Sequence, residues 1–182
     1  MKRFILTGAP GAGKTAILRQ LELDGFGVVE EAATDVIALE QAKGVAEPWT
    51  DACFVDAIVR LQRQRQVRAA QTQDAIQFHD RSVFCTAALA EYLGFATTPV
   101  LAEELERVQA EAVFQRQVFF IRGLGFIEPT QARRINMEEA LRFEKIHEET
   151  YARFGFELIL VEPASLAERV DSIRKAVANL KA

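Results

Sequence analysis

The chain is poor in the residues that mark extracellular, metal-bound or nucleic-acid-coating proteins. It has two cysteines, Cys53 and Cys85. They form neither a CxxC pair nor a disulfide framework, so two reduced thiols of a cytoplasmic protein are expected. Its two histidines, His79 and His147, lie in no ligand cluster, and no zinc is expected. Lysine and arginine (22) do not outnumber aspartate and glutamate (26), and the net charge of −4 speaks against a general nucleic-acid binder. No apolar run approaches the roughly 18 residues of a membrane span, so no transmembrane segment is expected, while peripheral membrane contact stays open. Lys2-Arg3 opens like a signal peptide, but the apolar run stops at Leu6, so no targeting segment is expected. Repeats and low-complexity tracts are absent too. With 49% hydrophobic and 26% charged residues, 182 residues suffice for one domain with its own core.

What stands out against this background is GAPGAGKT at residues 8–15. Gly8, Gly13, Lys14 and Thr15 match GxxxxGK[ST], and Ala9, Pro10, Gly11 and Ala12 complete the loop, with Ala16 opening the helix that follows. Glycines let successive backbone N–H groups curl around phosphate oxygens, and the positive end of the next helix points at the same charge. Lys14 is expected to reach the β and γ phosphates and the Thr15 hydroxyl to ligate Mg²⁺, which implies ATP or GTP with magnesium. A guanine-reading NKxD motif is missing, since Asn136 and Asn179 are followed by Met and Leu, so ATP is favoured over GTP.

Short apolar runs alternate with amphipathic stretches. Strands are expected at 2–7, 27–29, 74–79, 117–121 and 156–161. A helix is expected after the loop, with Ala16, Ile17, Leu18 and Leu21 inward. Others are expected at 32–43, 52–72, 83–92, 99–115 and 137–153, and after Ser165, where Leu166, Val170, Ile173, Val177 and Leu180 would face inward. Ser165 with Glu168, and Asn136 with Glu139, have capping spacing. Residues 44–51 are read as a loop and 122–135 as an aperiodic segment bearing Arg133 and Arg134. The sum is an α/β fold, a three-layer P-loop domain over 1–182 with a five-stranded parallel sheet, helices on both faces and a helical lid at about 122–140.

A motor ATPase would want a strongly apolar strand ending in Asp-Glu, and the third strand instead carries Gln77 and His79. A small kinase needs a carboxylate to accept a hydroxyl proton and cations to close over the transferring phosphoryl. Asp80 and Arg81 follow the third strand at the edge where an open parallel sheet binds ligands. Asp80 would serve as base or hold Mg²⁺ through water, and Arg81 would clamp a phosphate. Glu30 and Glu31 end the second strand at the same edge. Arg133 or Arg134 would close onto the γ-phosphate. Arg65, inside the apolar stripe Phe54, Ala57, Ile58, Leu61 and Ala69, either snorkels or lines the acceptor site. Trp49 is either an acceptor lid or, the favoured reading, a packed loop anchor, and both histidines are read as structural.

GAPGAGKT, GFGVVEEAATDVI, HDRS and the long ending RRINMEEALRFEKIHEETYARFGFELILVEPASLAERV together resemble the small AAA-labelled, kinase-like P-loop ATPases that include the ribosylnicotinamide kinase domain of the bacterial NAD regulator. The resemblance spans almost the whole chain. It implies a nucleoside-kinase-type fold, a triphosphate and magnesium site at Gly13, Lys14 and Thr15, acceptor or base positions at Glu31 and Asp80, and phosphate contacts at Arg81 and Arg134. Thr34 stands where the family often has arginine, and Gln131 near its lid aspartate. The implied activity is transfer of the γ-phosphate to a small hydroxylated acceptor, nucleoside- or sugar-like. A nucleotide-binding regulatory module acting through a protein or membrane partner is the alternative.

Overall fold

A computed structural model describes residues 1–123 and 137–180. Five strands, β1 (Lys2–Thr7), β2 (Gly27–Val29), β3 (Ile76–Asp80), β4 (Gln117–Ile121) and β5 (Glu157–Val161), form one sheet of order β2-β3-β1-β4-β5. Every pairing is parallel, with Ile5 opposite both His79 and Val118 in the central strand β1. Among the described residues seven α-helices flank the sheet, six between strands and the last after β5: α1 (Lys14–Leu23), α2 (Ala33–Ala42), α3 (Cys53–Ala69), α4 (Val83–Leu93), α5 (Pro99–Ala110), α6 (Met137–Arg153) and α7 (Leu166–Asn179). This is the expected α/β architecture. Among the described residues no helix is long and apolar enough to cross a membrane.

The two-residue period of the strands divides the core. Phe4, Leu6, Phe78 and Phe119 pack with Ile17, Leu18 and Leu21 of α1 and Val170, Ile173 and Val177 of α7. Ile5 and Val118 point the other way, toward Val55 and Val59 of α3, Phe84 of α4, Leu101 and Leu105 of α5 and Tyr151 of α6. Both faces of the sheet are thus covered. Its central strands are dry, and the ligand crevice falls at their carboxyl ends.

Several local expectations need correction. Ala16 is exposed, because the buried row of α1 is Lys14, Ile17, Leu18 and Leu21, and Ala16 lies some 200° around from Lys14 at 100° per residue. Leu166 is 42% exposed, since the buried row of α7 begins a turn later at Arg169 and Val170. The capping box of Ser165 and Glu168 is formed as expected. Helix α5 stops at Ala110, short of 115. Ala112 takes a left-handed φ of 46° and Val113 N–H donates back to the Val108 carbonyl at 3.1 Å, a closure that usually announces itself with glycine. Loop 44–51 contains one 3-10 turn, Pro48–Thr50. β3 runs through Asp80 itself, so the carboxylate sits on the rigid strand end. Asn136 lies outside the described residues.

Candidate active site

The phosphate loop leaves β1 hard against the end of β4. A Cβ on Gly8 would stand 2.2 Å from the Ile121 carbonyl oxygen, and Gly8 has φ of 129°, so only glycine fits. Gly13 is the N-cap of α1, left-handed and without a side-chain cap, which leaves the amides of the helix's first turn available for an anion. Ala9 and Ala12 are buried behind the loop, and Thr15 is exposed at its mouth.

Lys14 bends back into its own loop, donating to the carbonyls of Gly8 (3.0 Å) and Ala9 (2.9 Å). Burial first, and the nearby Arg81 cation second, lower its pKa to about 7 despite Asp80 and Glu31. A phosphate group favours the ammonium form, so nucleotide binding takes up a proton above that value. ADP affinity is therefore expected to weaken between pH 7 and 9, by up to about tenfold per unit. Calorimetry across that range checks it, and a flat profile would contradict it. Folding stability moves oppositely. The unfolded chain holds this proton up to about pH 10.5 and the folded chain only to about 7, so this group's contribution to stability rises with pH in between.

Two carboxyls face Lys14, and their environments push them apart. Burial raises Asp80 above its ordinary value, although Lys14 and Arg81 oppose it. Burial alone would also raise Glu31, but Arg81, Thr34 and Lys14 hold it below the ordinary value. The Glu31 carboxylate lies 3.1 Å from Arg81 Nε and accepts from Thr34 Oγ1 at 2.5 Å. Arg65 fixes the turn that carries it, donating to the carbonyls of Glu30 and Glu31 and pairing with Asp35. Arg65 therefore neither snorkels freely nor lines the cavity. Glu30 turns outward to Arg19.

Arg81 extends the ladder by one bond, N–H to the Leu6 carbonyl at 2.9 Å, and then turns with φ of 71°. That rare conformation directs a nearly buried guanidinium at Glu31, at His147 Nε2 (3.4 Å) and toward the Phe143 ring (6.0 Å). His147 Nδ1 lies 2.9 Å from the Phe143 carbonyl, which can only accept, so Nε2 is left to accept from Arg81. Burial and the Arg81 charge lower the His147 pKa to about 3, and the ring stays neutral. One step along α6, Tyr151 Oη lies 3.0 Å from both Ser82 Oγ and Cys85 Sγ, and the thiol is 3.2 Å from Thr7 Oγ1.

A cavity of about 520 Å³ opens over this floor. Pro10, Gly11, Gly13, Lys14 and Thr15 form its phosphate end, and Glu31, Asp80 and Arg81 its middle. Trp49, Phe54, Ile58, Leu89, Tyr92 and Phe143 wall the far end, so Trp49 both packs and lines. Gln62 Oε1 accepts from Thr86 Oγ1 at 2.9 Å in the same wall. The sequence-derived residues Lys14, Thr15, Glu31, Asp80 and Arg81 are thus brought together, Ala16 adjoins them in the first turn of α1 without lining the cavity, and Arg133 and Arg134 lie outside the described residues. Gln62, Thr86, Leu89, Tyr92 and Phe143 escape sequence reasoning, which reads His147 only as structural. They stand singly on helices, and only the tertiary fold joins them.

Thr15 and Asp80 offer hard oxygen donors that suit Mg²⁺. Their side chains are hydrogen-bonded, and Asp80 Oδ1 is buried without a partner among the described residues. Among those residues no group of three His, Cys, Asp or Glu could hold a metal. A cation here would draw its remaining ligands from water and phosphate, as magnesium does.

Comparison with known proteins follows the same lines. The profile of an AAA domain family matches residues 3–169. A sequence search of curated proteins found no match. Among solved structures, deoxyadenosine kinase from M. mycoides with bound dATP aligns over 98% of this chain and 100% of its own, at 13% identity and a TM-score of 0.67. The NadR protein in complex with NAD and AMP-PNP aligns over 96% of this chain at 16% identity and a TM-score of 0.69, and its complex with NR does so at 17% and 0.66. The chain spans about half the length of NadR. At these identities the likeness is one of fold.

Proposed function

Since the chain belongs to the AAA-domain family and has a nucleoside-kinase-like P-loop fold, we propose that it is an ATP- and magnesium-dependent kinase whose acceptor is a small ring-bearing alcohol, nucleoside- or sugar-like. The observation that carries this reading is the cavity. A hydrolase admits only water beside the γ-phosphate, whereas here an apolar, aromatic-walled chamber adjoins the phosphate loop, with two carboxyls and an arginine at the junction. The structural neighbours solved with dATP and with AMP-PNP support the donor assignment.

In this reading the whole chain acts as one unit. The loop amides and Lys14 hold the β and γ phosphates. The acceptor hydroxyl lies between Glu31 and the γ-phosphorus. Its oxygen forms the new O–P bond, its proton passes to the Glu31 carboxylate, and the bond from the γ-phosphorus to the bridging oxygen breaks, leaving ADP. Glu31 suits the base role because its environment keeps it ionised. Arg81 neutralises the phosphoryl oxygens as charge moves through them. Asp80 and Thr15 would hold magnesium, Asp80 in part through water, and the bound ion would supply charge neutralisation between the phosphates. Arg133 or Arg134, if the segment at about 122–140 serves as a lid, would close the site against water.

The test is transfer of labelled γ-phosphate to a panel of nucleosides and free sugars. Label incorporated into an acceptor in proportion to ADP formed is expected, with Asp80→Asn needing about tenfold more magnesium for half-maximal rate. Slow hydrolysis indifferent to every compound would overturn the kinase reading in favour of a regulatory nucleotide-binding module.

A further inference from the structure

Arg169, on α7, is 4% exposed. Its Nη2 donates to the Ala12 carbonyl at 2.8 Å and to the Arg122 carbonyl at 3.1 Å, and its Nε has no partner. Among the described residues no carboxylate pairs with it. The neighbouring Glu168 is committed to the Ser165 cap, and burial alone lowers the Arg169 pKa. A buried cation without a counter-charge is costly, so its retention calls for a use.

Geometry supplies one. The Ala12 carbonyl and the Gly13 N–H belong to a single planar trans peptide and point in opposite directions. A guanidinium on the oxygen therefore fixes the direction of the N–H and polarises it as a donor. Gly13 is the left-handed N-cap of α1, and a Cβ there would lie 3.1 Å from Arg169 Nη1, so the cation rests against the phosphate loop's backbone. The second carbonyl, that of Arg122, lies at the exit of β4, where the Arg122 side chain pairs with Glu144 and Glu148 of α6.

We propose that Arg169 is a positioning residue of the donor site: it aims and strengthens the Gly13 amide toward the nucleotide's phosphates, and the bound anion supplies the counter-charge that no carboxylate of the described residues provides. This rests only on the donor half of the proposed function, the binding of a nucleotide at the phosphate loop.

The full chain and its Arg169→Met and Arg169→Lys variants are titrated with MgADP by calorimetry, and the Gly13 amide proton is followed by NMR before and after ADP addition. Arg169→Met is expected to lose about tenfold or more in ADP affinity, as for one charge-assisted hydrogen bond, with Arg169→Lys intermediate. The Gly13 amide proton should shift upfield in both variants, a signature that a purely structural role would not produce. ADP affinity within twofold of wild type in folded Arg169→Met, or an unmoved Gly13 amide in Arg169→Lys, overturns the proposal. If Arg169→Met does not fold, the two measurements on Arg169→Lys decide. Absence of ADP binding by the wild type would sink this proposal together with the donor assignment. Normal ADP binding without transfer to any acceptor would sink the kinase reading and leave Arg169's role standing.

Discussion

Glu31→Gln is expected to lower the rate of phosphoryl transfer about a hundred- to ten-thousand-fold while leaving ADP affinity within a few-fold of wild type, because it removes a proton acceptor and keeps the shape. The amide oxygen can still accept from Arg81, 3.1 Å from the carboxylate, and the amide NH2 can donate to the Thr34 hydroxyl, in the wild type a donor at 2.5 Å, once that hydroxyl turns. Single-turnover kinetics with a saturating acceptor separates the two quantities. Equal losses in binding and transfer would instead make Glu31 a binding residue and move the base to Asp80. The pH profile adds a second check. Arg81, Thr34 and Lys14 overcome burial and hold the Glu31 pKa below its ordinary 4.5, so the acid limb of wild-type transfer should fall below that value. The linked stability has the sign of a depressed carboxyl. It is fully present above the unfolded pKa and is lost as pH falls through the folded one.

Arg81→Asn should be as damaging for a different reason. Asparagine tolerates the left-handed backbone that Arg81 occupies at φ of 71°, so the turn is kept while the guanidinium is lost. Removing the cation proposed to face the phosphoryl is expected to cost about a thousandfold or more in kcat. It should also move the acid limb upward, because Glu31 loses its strongest attractive partner. Rapid-quench measurement of the transfer step, paired with a pH series, reads both effects. A rate loss without movement of the acid limb would detach Arg81 from Glu31.

The phosphate-loop end of the cavity is legible in the sequence and much of its aromatic end is not, and the reason is range. Gly8 through Thr15 act through contiguous backbone between one strand and one helix, so spacing alone encodes their geometry. Asp80 and Arg81 can be placed beside the loop from sequence because strand ends in a parallel sheet share an edge. Arg65 was ambiguous because a periodicity reports which face a residue lies on and cannot report that its guanidinium grips two carbonyls more than 30 residues away. The sequence reads His147 only as structural and gives no reading of Arg169, since neither a neutral imidazole accepting from Arg81 nor a cation held by carbonyls leaves a local pattern. The overestimate of α5 has a similar origin, because Ala112 adopts a conformation its residue type rarely takes.

Phe143, His147 and Tyr151 lie four residues apart along α6, and each meets the segment that follows β3, the first two at Arg81 and the third at Ser82 and Cys85. The helix therefore works as a gauge whose three marks are read together. Inserting or deleting one residue between positions 143 and 151 would rotate the marks beyond it by 100° and shift them 1.5 Å along the axis, so no single compensating substitution would restore them. Among descendants of this sequence, length variation within this stretch of α6 should be selected against, while point changes on its outward face at Lys145, Glu149 and Ala152 remain open to drift.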